Sequence, residues 1–119
     1  MDKRSLGQFG EEQAARYLRR RFYTILERNY RCRFGEIDLI AKRAGVLAFV
    51  EVKLRRDDQH GEAREFVTAR KQQRVMAAAQ LWLSQHETSL QPRFDVIEVY
   101  APQGEEGPVQ LNHIENAFQ

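Results

Sequence analysis

Chemistry in this chain concentrates between Gly35 and Lys53, in the stretch GEIDLIAKRAGVLAFVEVK. Two apolar runs flank Ala44-Gly45, which is the sequence grammar of a β-hairpin. With Ala44 and Gly45 as the turn, antiparallel pairing sets Asp38 opposite Glu51 and Glu36 opposite Lys53. Side chains alternate along a strand, so Glu51 and Lys53 share a face, and this register brings Asp38 onto it. Folding alone gives no reason to gather two acids and a base on a hydrophobic hairpin, because facing carboxylates repel. A divalent cation held between them is the simplest remedy. Hard carboxylate oxygens suit Mg²⁺, which keeps several waters and binds through one or two carboxylates plus a substrate phosphate. Such an ion polarises a phosphoryl oxygen and acidifies a bound water, and Lys53 is placed to hold that water or to neutralise charge developing on the phosphate.

The elements around the hairpin must hold those groups. From Ser5 to Arg21 the pattern is helical, with Glu11, Ala15, Leu18 and Phe22 on one stripe, so Glu11 points with the apolar side. Glu12, Arg16 and Arg19 fall on a solvated face. Tyr23 to Tyr30 reads as a first strand with Ile25 and Tyr23 inward, and Arg31, Arg33 and Gly35 form the turn into the hairpin. Arg31 and Arg33 would sit beside the carboxylate end, where they suit phosphate contacts or discourage edge pairing. The polar run RRDDQHGEAREF after the hairpin reads as a loop that acts as a lid or grips substrate. Its Asp57, Asp58, His60, Glu62 and Glu65 match no standard metal spacing.

Thr68 can cap a second helix from Ala69 to about His86, with Val75, Ala78, Ala79 and Trp82 as its buried stripe. Arg70, Lys71 and Arg74 crowd its first turns against the helix dipole, which points to an anionic partner there. Met76 and Trp82 read as packing residues and His86 as a helix terminator. Arg93 to Tyr100 is a strand, and the helix before it makes a right-handed crossover to a parallel neighbour of the hairpin. A loop follows, then an edge strand from Val109 to Ile114, and a short tail whose Phe118 packs on the sheet. The result is one α/β domain with a central mixed sheet flanked by helices.

Composition bounds the function. At 119 residues the chain has room for one domain. The net charge of +2 hides an asymmetry: Met1 to Arg74 carries 18 Lys or Arg against 11 Asp or Glu, and the remainder 1 against 6. The basic part is mostly arginine, which grips phosphate bidentately. One cysteine, Cys32, excludes a disulfide framework and any cysteine-rich metal site, and suits a reduced, cytoplasmic protein. No signal-type apolar segment is present and no stretch is long enough to cross a bilayer. There is no glycine-rich phosphate loop, serine elbow or zinc motif, and His60, His86 and His113 lie on unrelated segments. Glu11, Asp38, Glu51 and Lys53 remain as the chemical set.

The order of Glu11 on a helix, Asp38, Glu51-Val52-Lys53 on a strand, then a crossover helix, resembles the PD-(D/E)xK, or restriction-endonuclease-like, nucleases. Archaeal Holliday-junction resolvases have a comparable layout. The fuller string of GEEQAARYL, ERNYRCRFGEIDLIA, FVEVKLRR, VTARKQQR, RFDVIEV and NAF is similar to the bacterial YraN-type family along nearly the whole chain. The resemblance implies that Asp38 and Glu51 bind Mg²⁺, or Mn²⁺ in its place, with the Val52 carbonyl as a further ligand. It implies that Lys53 serves the transition state, that Glu11 completes the site, and that Lys71 and Arg70 contact the phosphate backbone. Ile37 departs from the nominal proline before the metal-binding aspartate.

The expectation is a Mg²⁺-dependent endonuclease that hydrolyses DNA phosphodiesters, acting on branched or structured DNA since no base-reading helix is evident. A resolvase activity would call for a homodimer. The rival expectation is a non-catalytic nucleic-acid-binding accessory of repair or recombination that retains the nuclease fold. A third is that the acids and Lys53 form a salt-bridged network alone.

Overall fold

The computed structural model describes residues 3–55 and 67–119. Helix α1 (Lys3–Arg20) leads into β1 (Thr24–Cys32), β2 (Gly35–Arg43) and β3 (Val46–Arg55). Helix α2 (Ala69–Gln85) then leads to β4 (Gln91–Tyr100), a short 3-10 turn at Gly104–Glu106, and β5 (Gln110–Ile114). The five strands lie in one sheet in sequence order, with β3 and β4 parallel and the other neighbours antiparallel. The loop expected after the hairpin, with Asp57, Asp58, His60, Glu62 and Glu65, lies outside the described residues.

Both faces of the sheet are covered, which explains why β3 is buried almost continuously from Leu47 to Glu51. On one face Ile40, Leu47, Phe49 and Val96 pack beneath Val75, Ala78, Ala79 and Trp82 of α2. On the other, Leu39, Ala41, Ala48, Val50, Ile97 and Val99 pack beneath Ala14, Ala15 and Leu18 of α1. Alanines on both sides of that second contact let the helix backbone approach the strands closely. The arrangement is a three-layer α/β fold with a central mixed sheet, as the restriction-endonuclease-like fold requires.

Helix α2 begins where the sequence places it. Thr68 keeps an extended backbone and its Oγ1 accepts the Lys71 N–H at 3.2 Å, a cap worth about 1 kcal/mol. Its four buried residues are the four of the expected stripe. At the far end the His86 ring stacks on Trp82 with centroids 3.9 Å apart, and the indole N–H donates to Glu27 on β1 at 3.0 Å. Phe118 stacks on Phe94, as the tail reading required.

Two features were not foreseen. The apolar stripe of α1 does not continue to Phe22, whose side chain is 86% exposed. The helix instead closes in a Schellman motif, with the Tyr23 N–H donating to the Leu18 carbonyl at 2.9 Å and the Phe22 N–H to the Arg19 carbonyl at 3.0 Å. That closure gives Phe22 a φ of +70° and turns Tyr23, not Phe22, into the core. The second is a buried polar network around Asp95. Its carboxylate accepts from Arg93, from the His113 Nε2–H at 2.8 Å and from the Asn116 backbone N–H at 3.0 Å. Arg93 also donates to the Tyr23 hydroxyl at 2.7 Å, and Tyr17 on α1 meets His113 Nδ1 at 3.2 Å. Burial works to raise the Asp95 carboxyl, but His113, Arg93 and the Asn116 N–H outweigh it and hold it below its ordinary range.

Candidate active site and nucleic-acid interface

The hairpin turns at Ala44-Gly45, and its ladder pairs Arg43 with Val46 through Leu39 with Val50. One step further, this register sets Asp38 against Glu51. The backbone ladder stops there. The Asp38 side chain takes over, its Oδ2 accepting the Val52 N–H at 2.8 Å. The N–H and C=O of a strand residue leave on the same edge, so the Val52 carbonyl faces the β2 side as well. The site thus opens where β2 and β3 cease to exchange backbone hydrogen bonds.

Four charged groups meet in this opening. Burial pushes the Asp38 carboxyl up to about 6, with Glu11 and Glu36 adding to the rise and the Val52 N–H and Lys71 opposing it. Burial, then the neighbouring Asp38, pushes the fully buried Glu51 up to about 7, against the pull of Lys71 and Lys53. Burial lowers Lys53, as does the nearby Lys71, and Glu51 and Asp38 offset part of this. Burial also disfavours the Lys71 charge, yet Glu51 and Asp38 hold that ammonium above its ordinary range. The Lys71 ammonium lies 3.1 Å from Glu51 Oε2. Glu51 Oε1 is buried and has no hydrogen-bond donor among the described residues.

Glu11 stands at the margin. Its carboxylate accepts from the Asn29 side-chain amide at 3.0 Å while still acting electrostatically on Asp38. Asn29 has a φ of +54° and falls opposite Asp38 in the β1–β2 register, between the Arg28–Leu39 and Tyr30–Ile37 pairs. The sequence reading missed this residue. Its signal was an asparagine inside a strand, the residue type besides glycine that most readily enters the left-handed region. Glu12 takes the solvated role expected of it, pairing with Arg16 and also with Arg28.

Among the described residues no three Asp, Glu, His or Cys side chains are gathered closely enough to hold a metal ion. Two carboxylates are present, with the Val52 carbonyl on the same edge and one buried Glu51 oxygen without a donor. An oxygen-only set of that size fits Mg²⁺, which fills its remaining positions with water and substrate.

Beside the acids lies a cleft of about 690 Å³ whose wall includes Arg31, Glu36, Arg70, Lys71 and Arg74. Four of the five basic residues expected to meet nucleic acid therefore share one opening, from β1 and α2. Arg31 pairs with exposed Glu36 at 3.3 Å, and Arg74 donates to the Phe34 carbonyl at 3.3 Å. Gly35 lets α2 approach here, since a Cβ at that position would lie 3.1 Å from the Arg74 carbonyl oxygen. Arg33 does not line the cleft; its guanidinium stacks over the exposed Phe34 ring at 4.8 Å.

The fold and the clustered acids and lysines define the class: an α/β domain of the restriction-endonuclease-like superfamily. Residues 10–99 match the model of a family described as uncharacterised protein family UPF0102. The chain is 43% identical to a UPF0102 protein of Caldanaerobacter subterraneus, with 99% of this chain and 98% of the relative covered. It is 47% identical to UPF0102 proteins of Nocardia farcinica, covering 98% and 91%, and of Symbiobacterium thermophilum, covering 97% of each. The chain belongs to UPF0102, the YraN-type group of that superfamily. No helix among the described residues is long and apolar enough to cross a membrane.

Proposed function

We propose that this protein is a metal-dependent endonuclease that hydrolyses DNA phosphodiesters, with branched or otherwise structured DNA as substrate. The observation that carries the reading is half-buried Asp38 set against fully buried Glu51: burial raises both carboxyls, Asp38 raises Glu51 further, and Lys53 and Lys71 stand beside them. Asp38, Glu51 and the Val52 carbonyl would hold Mg²⁺, with Mn²⁺ as a substitute and Glu11 reaching it through water. The ion would supply an acidified water and a polarised phosphoryl oxygen. Lys53, whose charge burial disfavours, would orient the attacking water or neutralise charge developing on the phosphate. Arg31, Arg70, Lys71 and Arg74 would hold the backbone, so affinity would fall steeply with salt and depend little on sequence. Resolution of a junction would need two such sites, hence a homodimer.

The test is purified protein with four-way junction, flap and linear duplex DNA in Mg²⁺ or Mn²⁺, beside Asp38→Ala and Lys53→Ala. Cleavage by the wild type that both substitutions abolish supports the reading. Binding without cleavage, or cleavage that survives both, overturns it. One observation favours a second reading, a DNA-binding accessory without turnover: the Lys71 ammonium, 3.1 Å from Glu51 Oε2, already offsets the Glu51 charge that would attract a metal. Under that reading Mg²⁺ would leave the melting temperature unchanged.

A further inference from the structure

Phe22 runs against two preferences of its residue type, burial and a negative φ. It occupies the position after α1 where a Schellman closure favours glycine, and a bulky side chain at φ +70° costs energy. A large apolar ring 86% exposed recovers none of that cost through burial. Leu18 and Tyr23, the buried pair that normally accompanies such a closure, are already in place without it. Large exposed residues in strained backbone mark functional positions.

The surroundings of Phe22 are cationic. Arg20, Arg21 and Arg43 line a groove with it, alongside Tyr17, and among the described residues no Asp or Glu lines that groove. None of the three arginines is ion-paired among the described residues. Two are pre-set: Arg21 lies 4.8 Å over the Tyr17 ring, and Arg43 lies 4.6 Å over Tyr23 while donating to the Arg21 carbonyl at 3.0 Å. Planar cations held in place around a solvent-facing aromatic ring match an unpaired nucleic-acid strand, in which a phosphate and a free base face are offered together. A duplex offers the phosphates but keeps its base faces stacked.

We propose that the Phe22 groove is a second nucleic-acid site, a foothold for single-stranded DNA separate from the acid cluster. Its choice of DNA rests on the endonuclease reading; its preference for an unpaired strand rests on Phe22 alone. Helix rise puts Arg20 about 14 Å along α1 from Glu11, and strand rise puts Arg43 about 17 Å along β2 from Asp38. An unpaired strand spans more than the ~3.4 Å per nucleotide of a duplex strand, so one held at Phe22 would need only a few nucleotides to pass the sheet edge toward the acids. The foothold would therefore select substrates with an unpaired segment near the point of attack.

The test is fluorescence anisotropy with a labelled 15-nucleotide oligo-dT and with a blunt 15-base-pair duplex, in EDTA so that cleavage plays no part. Phe22→Ala should weaken oligo-dT binding roughly five- to a hundredfold, the span of one lost base stack, and change duplex binding less than about twofold. Phe22→Trp should retain it. Phe22→Gly should lose it while melting at a higher temperature, which separates the loss from misfolding. The proposal is overturned if the wild type does not bind oligo-dT, if Phe22→Ala binds it as well as the wild type, or if the duplex suffers equally. Because metal is absent, a failure of the hydrolytic reading leaves these outcomes standing, and their failure leaves the hydrolytic reading standing.

Discussion

Asp38 Oδ2 accepts the Val52 N–H at 2.8 Å, at the point where the β2–β3 ladder has run out of backbone partners. The carboxylate therefore has two jobs, closing the hairpin and facing Glu51. Those jobs conflict electrostatically, and the conflict can be measured.

Asp38 and Glu51 should make the protein lose stability as pH rises. A carboxyl whose folded pKa exceeds its unfolded value binds more protons when folded, so stability is highest below the unfolded pKa and falls as pH climbs through the folded one. The ordinary values are 3.8 and 4.5, against about 6 and about 7 in the fold. The loss should fall between about pH 4 and pH 7 and amount to a few kcal/mol for the coupled pair. Asp95 is shifted down, so its contribution fades only on the acid side of this window. Urea denaturation in EDTA across pH 5 to 8 reads the slope, and Glu51→Gln should flatten it. Mg²⁺ should restore stability at pH 8 and not at pH 5. A wild-type profile that is flat in EDTA contradicts the account.

Asn29 should act as a positioning residue for Glu11. Asn29→Gly keeps a residue that accepts φ +54° and removes only the amide that holds the Glu11 carboxylate. Under the proposed hydrolytic function, cleavage should fall to the level of Glu11→Gln, and the double variant should be no worse than either alone. Additive losses, read from single-turnover rates, would mean that the two side chains work independently.

Much of this was legible in order along the chain. The Ala44-Gly45 turn fixed the register, and register fixed which side chains share a face, so Asp38 and Glu51 could be paired on paper. The caps and stripe of α2 are local, and the structure returned them intact. Phe22 was misread because a heptad-like spacing says nothing about where a helix ends, and its left-handed closure carries no glycine to announce it. Asn29 failed similarly, since one φ angle reverses a side chain that strand alternation would place elsewhere. The Asp95 network joins Tyr17, Tyr23, Arg93 and His113 across 96 residues of separation between Tyr17 and His113, and no sequence period connects them.

Gly35 should not tolerate a side chain. A Cβ there would sit 3.1 Å from both Cβ and the carbonyl oxygen of Arg74, so strand or helix must retreat. Gly35→Ala should cost about 1–3 kcal/mol and loosen the Lys71–Glu51 pair carried by the same helix. Gly45→Ala, where nothing lies within 4 Å, should be near neutral. Thermal melts of the two variants check the contrast, and equal melting temperatures would refute the close-approach argument.

Trp82 is the chain's single tryptophan, and it lies between α2 and the sheet, joined to Glu27 on β1 and covered by His86. The protein thus carries an intrinsic optical reporter on the very helix that bears Lys71. Indole emission will follow how firmly that helix seats beside the acids, so the proposed arrival of ions or oligonucleotides in the cleft can be watched for without attaching a dye.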